Sequence, residues 1–266
     1  MTIRAATQGY VATVTIGNPA TLNALFLADL QTLADTWDEL EADDRVRAVI
    51  VTGEGDRAFC AGANLKELIP ILTTDLRSAE DPYERLAGFS ALHRAFLKKG
   101  ELSKPLIAAV NGLCYAGGVE LLNACDLRVA VDTAVFSLQE PRWALFPAGG
   151  SVVRLPRHIP FAWAMEILLT GRALTAAEAL AAGLISRVVS AAELLETAQS
   201  LADRIAANGP LAVCSIKRAV RACLELPLEQ AFDEELRWGA RVLASDDAQE
   251  GPRAFAEKRP PKYTGK

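Results

Sequence analysis

The run Pro105-Leu-Ile-Ala-Ala-Val110 is short and wholly apolar. A turn at Asn111-Gly112 and a glycine pair at Gly117-Gly118 follow it, and a helical pattern then runs to about Cys125. A strand with no polar face is one covered on both sides. A strand that passes through glycines into a helix is the joint of an α/β chain, in which helices cover a parallel sheet. The residues before it have the same character. Tyr10 to Ile16 alternates as a half-buried strand, and Val46 to Thr52 and Leu127 to Val131 read as further strands. Leu25, Leu30, Leu33, Trp37 and Leu40 recur at three- and four-residue steps, which predicts a helix from Asn23 to about Ala42 with Leu27 off its stripe. Pro82 to Lys99 reads as one long amphipathic helix, and helices dominate from about residue 148. Near the end, Leu211, Val213, Ile216, Val220 and Leu224 form an apolar stripe expected to be buried. The expected class is α/β with a helical appendage suited to oligomerisation.

Composition narrows the function classes. The 266 residues are 51% hydrophobic and 23% charged, which supplies a sizeable core and excludes a disordered chain. Lys and Arg number 28 against 33 Asp and Glu, a formal charge of −5 that lacks the basic footprint of a nucleic-acid binder. Met1 to Tyr10 has one Arg and no apolar run, so no signal peptide is expected. The longest stretch without charged residues, between Arg4 and Asp29, is broken by Thr, Gln, Asn, Gly and Pro, so no membrane span is expected. Cys60, Cys114, Cys125, Cys214 and Cys223 contain no C-x-x-C pair, and His93 and His158 lie outside ligand spacing from them. Neither a disulfide framework nor a metal site is expected, and the thiols read as buried in a reducing cytoplasm. Both histidines sit in helical, basic surroundings and read as surface residues. With no G-x-S-x-G in the chain, a Ser-His-Asp hydrolase is disfavoured.

Four segments bear on chemistry. Gly53-Glu-Gly55-Asp-Arg-Ala58 formally matches a dinucleotide fingerprint, but Phe59 to Gly62 prolongs the loop and no strand ending in Asp or Glu follows at the right distance. It reads as a turn. In Ala58 to Leu68, the small residues Ala61, Gly62 and Ala63 allow a ligand close to the backbone, and a short helical pattern from Asn64 to Leu68 would point N–H groups at negative charge. Tight packing explains the same residues equally well. In Asn111 to Asp126, glycines free N–H groups at a helix start. Glu120 lies in that helix's first turn amid apolar neighbours. It is either a surface dipole partner or a buried acid with a raised pKa. In Phe136 to Ser151, Glu140 precedes Pro141 and is expected to run extended into a cleft, or else to pair with Arg142. Two glycine-rich helix starts and two carboxylates suggest one site in which N–H groups hold an oxyanion and two acids handle a proton and a water.

These segments resemble the enoyl-CoA hydratase/isomerase family, also called the crotonase superfamily. Asn18 to Leu25 resembles its N-terminal turn, and Ala58 to Leu68 its A-F-C-A-G-A-D-(I/L)-K-E stretch. Asn111 to Asp126 resembles its N-G-x-x-x-G-G-G-x-E-L…C-D stretch, Phe136 to Gly150 its F-x-x-P-E…P-x-G-G stretch, and Glu250 to Arg259 its E-G-x-x-A-F-x-E-K-R tail. All five occur in order across the whole chain. The resemblance implies a spiral of ββα turns, a catalytic core over residues 1–200, and a helical region over 201–266 that assembles trimers, often paired into hexamers. It implies an acyl-CoA thioester as substrate and no separate cofactor, since coenzyme A is part of the substrate. The carbonyl oxygen would sit between the N–H groups of Ala63 and Gly117, and the CoA part along Leu22, Ala24, Ala61, Asn64, Leu65 and Lys66. Glu120 would be the base toward water, and Glu140 the donor to the α-carbon.

The chain departs from the pattern in places. Ala116 replaces the first glycine of the triplet, Gln139 stands where a proline often precedes the second glutamate, Asn64 replaces Asp, and Ala20 replaces a Lys that often contacts CoA phosphate. Lys66, Lys258 and Lys262 are candidate replacements for that charge. Leu68 to Phe96 would form one wall of the acyl pocket and Trp143 to Phe146 another. Keeping both glutamates favours hydration. An isomerase, a specialised hydroxyacyl-CoA dehydratase and a silent acyl-CoA-binding homologue remain as alternatives.

Overall fold

Ile3 to Gln8 carries one buried side chain, yet it forms a strand. Gly9 takes a φ of 59° and folds it back onto Val11 to Ile16 as a hairpin. The computed structural model describes residues 2–99 and 102–266. Among them ten strands form: β1 (Ile3–Gln8), β2 (Val11–Ile16), β3 (Ala48–Gly53), β4 (Ala58–Cys60), β5 (Leu106–Val110), β6 (Leu113–Tyr115), β7 (Leu127–Val131), β8 (Val135–Ser137), β9 (Leu174–Thr175) and β10 (Arg187–Val189). The larger sheet has the order β1-β2-β3-β5-β7-β10 and the smaller β4-β6-β8-β9. The chain visits them alternately: β3 then β4, β5 then β6, β7 then β8. Each pair of visits is one turn of a spiral, and those strands pair in parallel within each sheet. This is the expected α/β spiral.

Helices close the turns: α1 (Leu27–Ala42), α2 (Leu68–Ser78), α3 (Pro82–Ala87), α4 (Ser90–Ala95), α5 (Gly117–Ala124), α6 (Ser151–His158), α7 (Phe161–Thr170), α8 (Ala176–Ala181), α9 (Leu194–Ala206), α10 (Pro210–Cys223), α11 (Leu228–Leu243) and α12 (Asp246–Ala256). Every residue of β3 and β5 is buried, as a strand covered on both faces must be. Helix α9 lies against the larger sheet through Leu194, Ala198, Ala202 and Ala206, whose small side chains allow a close approach. Helix α1 buries Leu30, Leu33, Trp37 and Leu40, and Trp37 donates from Nε1 to the Ala95 carbonyl at 2.9 Å, tying it to α4. Asn111 links the two sheets: its Oδ1 accepts from Gly53 N–H at 3.1 Å, and its Nδ2 donates to the carbonyls of Gly55 at 2.7 Å and Ala58 at 3.1 Å.

Several expectations are corrected. Pro82 to Lys99 is two helices, broken at Gly88-Phe89, where Phe89 leaves the helical region with ψ 71°. The helical pattern assigned to Asn64–Leu68 is a turn, and the helix begins at Leu68. The first long helix starts at Leu27 rather than Asn23, because Asn23 is spent bonding the carbonyls of Glu54 and Ala58. His93 is buried rather than on the surface, with Nε2 2.9 Å from the Leu86 carbonyl. His158 is exposed, with Nδ1 2.9 Å from an Arg128 nitrogen. Within the single chain the C-terminal stripe is not buried: Ile216, Val220 and Leu224 are exposed, as are Leu228, Phe232 and Leu236 on α11.

Candidate active site

Strands β4, β6 and β8 lie side by side in parallel, with Cys60 opposite Cys114 and Cys114 opposite Phe136. Their C-terminal ends therefore release three segments onto one edge, which is where ligands gather in parallel sheets. The segments are Ala61 to Ala63, Ala116 to Glu120, and Leu138 to Glu140. A cleft of about 260 Å³ opens there, lined by Ala61, Ala63, Gly117, Glu120, Glu140 and Gly149. The rest of its lining is mostly apolar, from α2 to α4 on one side and Trp143, Leu145 and Phe146 on the other. Trp143 and Phe146 are 63% and 71% exposed at its mouth.

Two N–H groups are available at its floor. Ala63 bridges Leu25, but the bonds use the Gly62 carbonyl and the Asn64 N–H, each at 2.8 Å. That geometry turns the Ala63 N–H away from Leu25. Gly117 is the first residue of α5, so its N–H has no partner inside the helix. Gly62, at φ 90°, lets these segments touch: a Cβ there would lie 2.8 Å from the Gly117 nitrogen. The preceding residue, Ala116, has φ 49° and ψ −118°, a region that favours glycine, so the alanine at this position is strained.

Glu120 is 5% exposed on α5. Its Oε1 accepts from Gly149 N–H at 2.6 Å, and a Cβ on Gly149 would run into its Oε2. Burial, and then the charge of Glu140, push its pKa up to about 8. Glu140 opens a 3₁₀ turn, Glu140–Trp143, with Pro141 at its start. This corrects the extended backbone expected before a proline: the ring sits where no backbone donor is lost. Glu140 forms no ion pair with Arg142 among the described residues, its Oε2 is buried without a hydrogen-bond partner, and burial raises its pKa.

The other candidates divide. Leu65 lines the cleft, while Leu22, Ala24, Asn64 and Lys66 do not. Leu22, with φ 56°, accepts from Ala61 N–H at 3.0 Å, and the Asn64 side chain accepts from Lys66 and Glu67 N–H, so both brace the cleft's backbone. Lys258 and Lys262 lie near the C-terminus, where the Lys262 N–H donates to Glu250. The described residues include no cluster of His, Cys, Asp or Glu able to hold a metal ion, and no helix long and apolar enough to cross a membrane. Missed from the sequence were Ala148 and Gly149 as cleft lining. Only the last had a signal, its place in a glycine pair before a helix.

The family model described as enoyl-CoA hydratase/isomerase matches residues 6–266. Enoyl-CoA hydratase EchA19 of Mycobacterium tuberculosis is 44% identical over 256 residues, 96% of this chain and 94% of its own. Carnitinyl-CoA dehydratase of Proteus mirabilis is 39% identical, covering 98% of this chain and 97% of its own. The crystal structure of an enoyl-CoA hydratase from Bacillus anthracis superposes with a TM-score of 0.92 at 34% identity, each chain covered in full.

A pH effect on stability follows from Glu120. Its folded pKa lies above its ordinary value of 4.5, so the stability it contributes is complete below about 4.5 and is lost progressively as pH rises to about 8. The unfolding free energy in urea, measured from about pH 5 to about pH 9, is expected to fall less steeply in Glu120→Gln than in the parent chain.

Proposed function

The chain belongs to the enoyl-CoA hydratase/isomerase family, the crotonase superfamily, and we propose that it is an enoyl-CoA hydratase using Glu120 and Glu140 as one acid–base unit. The observation that carries this reading is that both carboxyls face one apolar cleft beside two N–H groups with no internal partner. Coenzyme A enters as part of the substrate, and no separate cofactor is required.

The thioester oxygen accepts from Ala63 and Gly117. Adding hydroxide to the β-carbon builds enolate charge on that oxygen, and the positive end of α5 adds to the two donors. The ionised carboxylate takes a proton from water as its oxygen bonds to the β-carbon. The protonated carboxyl gives its own to the α-carbon. In the free chain burial and the charge on Glu140 favour the protonated form of Glu120. The order implied by the resemblance, Glu120 as base, requires that proton to pass to Glu140 once substrate and water are bound; the reverse order does not. The same pair run backwards dehydrates a 3-hydroxyacyl-CoA, and the Proteus relative is named a carnitinyl-CoA dehydratase. A 1,3-proton shift needs no bound water and gives no reason for two acids.

The acyl group is read as long or bulky and apolar. Beyond the cleft, a second cavity of about 240 Å³ shares Leu72, Leu76 and Leu86 with it, so these three side chains form a partition. The CoA part lies along Leu22, Ala24, Ala61 and the Asn64 to Lys66 backbone. The free cysteines suit a cytoplasmic enzyme. Residues 1–200 form the catalytic core, and 201–266 assemble a trimer or hexamer, since Ile216, Val220, Leu224 and Phe232 leave an apolar face exposed on the single chain.

Three outcomes test this reading. Loss of enoyl absorbance with a 2-enoyl-CoA, and a product heavier by one water, is expected to fall about 100- to 10,000-fold in each of Glu120→Gln and Glu140→Gln. Unchanged hydration in both variants overturns it. Leu76→Ala is expected to raise kcat/KM for a long-chain 2-enoyl-CoA relative to crotonyl-CoA by about tenfold or more. Sedimentation at micromolar concentration is expected to give a trimer or hexamer, and a monomer contradicts the assembly.

A further inference from the structure

The peptide unit between Ala148 and Gly149 is held at both ends. Its N–H donates to Oε1 of Glu120 at 2.6 Å, and its carbonyl accepts from Nζ of Lys98 at 2.7 Å. The amide is one conjugated group, so a cation at its oxygen draws electron density from its nitrogen and strengthens the N–H as a donor. An exposed positive charge thus acts on a buried carboxyl through a single peptide. We propose that Lys98 is a positioning residue for Glu120, fixing and polarising the Ala148–Gly149 peptide that holds this carboxyl. The inference rests on the reading of Glu120 as one of the two working acids.

The local backbone is arranged to keep Lys98 there. After α4, Leu97 takes a φ of 51°, an uncommon conformation for a branched apolar residue. The turn directs Phe96 into the cleft lining and Lys98 toward Ala148. Arg154 on α6 secures it, donating to the Phe96 carbonyl at 2.8 Å and to the Leu97 carbonyl. A strained residue persists where its surroundings over-determine it, and such strain gathers at working sites. The charged groups acting on Glu120 are Glu140 from the 3₁₀ turn, Lys98 from the segment after α4, and Arg154 from α6. Lys98 is itself opposed by Arg154 and Lys99 and supported by Glu120. Because the Arg154 guanidinium is committed to two carbonyls, Lys98 is the cation bonded to the peptide that Glu120 uses.

The test reads Glu120 directly. The chain is labelled with ¹³C at glutamate carboxyls, and the Glu120 resonance is identified by its loss in Glu120→Gln. In Lys98→Met, which keeps most of the stem and removes the charge, the Glu120 titration midpoint is expected to move to higher pH. The same variant is expected to lower kcat at neutral pH about tenfold with little change in KM, the size of one lost charge-assisted hydrogen bond. Lys98→Arg is expected to restore both. A Glu120 midpoint in Lys98→Met that coincides with the parent chain overturns the proposal. The midpoint needs no turnover, so a shifted midpoint in a chain that hydrates no thioester supports the positioning role and defeats the hydratase reading alone.

Discussion

Three short strands paired in parallel govern everything at the site. Because β4, β6 and β8 run the same way with neighbouring strands about 4.8 Å apart, whatever follows each strand emerges on one edge at that spacing. Ala63, Gly117 and Glu140 are far apart in sequence and adjacent in space for that reason alone. The larger sheet supplies the rigidity. Its parallel strands are the other half of each spiral turn, and Asn111 and Asn23 both donate to the Ala58 carbonyl, fixing β4 against the segments that follow β5 and β2. A shift of this small sheet would separate the N–H groups from the carboxyls, whatever the side chains were.

The site carries costs that the surrounding fold offsets. Burying a carboxyl disfavours its charged form, and Glu120 is held by the Gly149 N–H and the start of α6, with Lys98 bonded to the Ala148 carbonyl of the same peptide. Ala116 and Leu97 hold backbone conformations that side-chain-bearing residues rarely adopt, at about 1–3 kcal/mol each. Both flank cleft-lining residues, Gly117 and Phe96. A chain selected for stability alone would place glycine at 116. The strain is tolerated because α5 must begin at once after β6 for its N–H to reach the cleft.

Much of this was legible in the sequence where the period was strong and the residues few in kind. The wholly apolar Pro105–Val110 reads as a covered strand, and the glycine pair after it as a helix start. The strands of the small sheet were not legible, because β4, β6 and β8 are three residues long and their pairing partners are distant in sequence. Pro82 to Lys99 kept a helical period through Gly88 and Phe89, where the structure breaks the helix, and Leu86 and Leu92 on either side of the break both line the cleft. Glu120 was visible as a carboxylate in apolar company, and Glu140 as a carboxylate held before Pro141. The Lys98 contact was not, since it depends on a positive φ at Leu97 and on a carbonyl fifty residues later.

The apolar cleft and the two carboxyls constrain each other. In a lining of leucines and aromatics, two ionised carboxylates cannot stand close together, because each raises the cost of the other's charge. Burial raises the pKa of both, and the charge on Glu140 adds to the push on Glu120, up to about 8. One shared proton is the state in which one member can accept from water while the other gives to carbon. A polar, well-hydrated cleft would leave both carboxyls ionised near neutral pH, with an acceptor on each side and no donor. Under the hydratase reading, the apolar lining that would take an acyl group is the same property that raises the pKa of the carboxyls beside it.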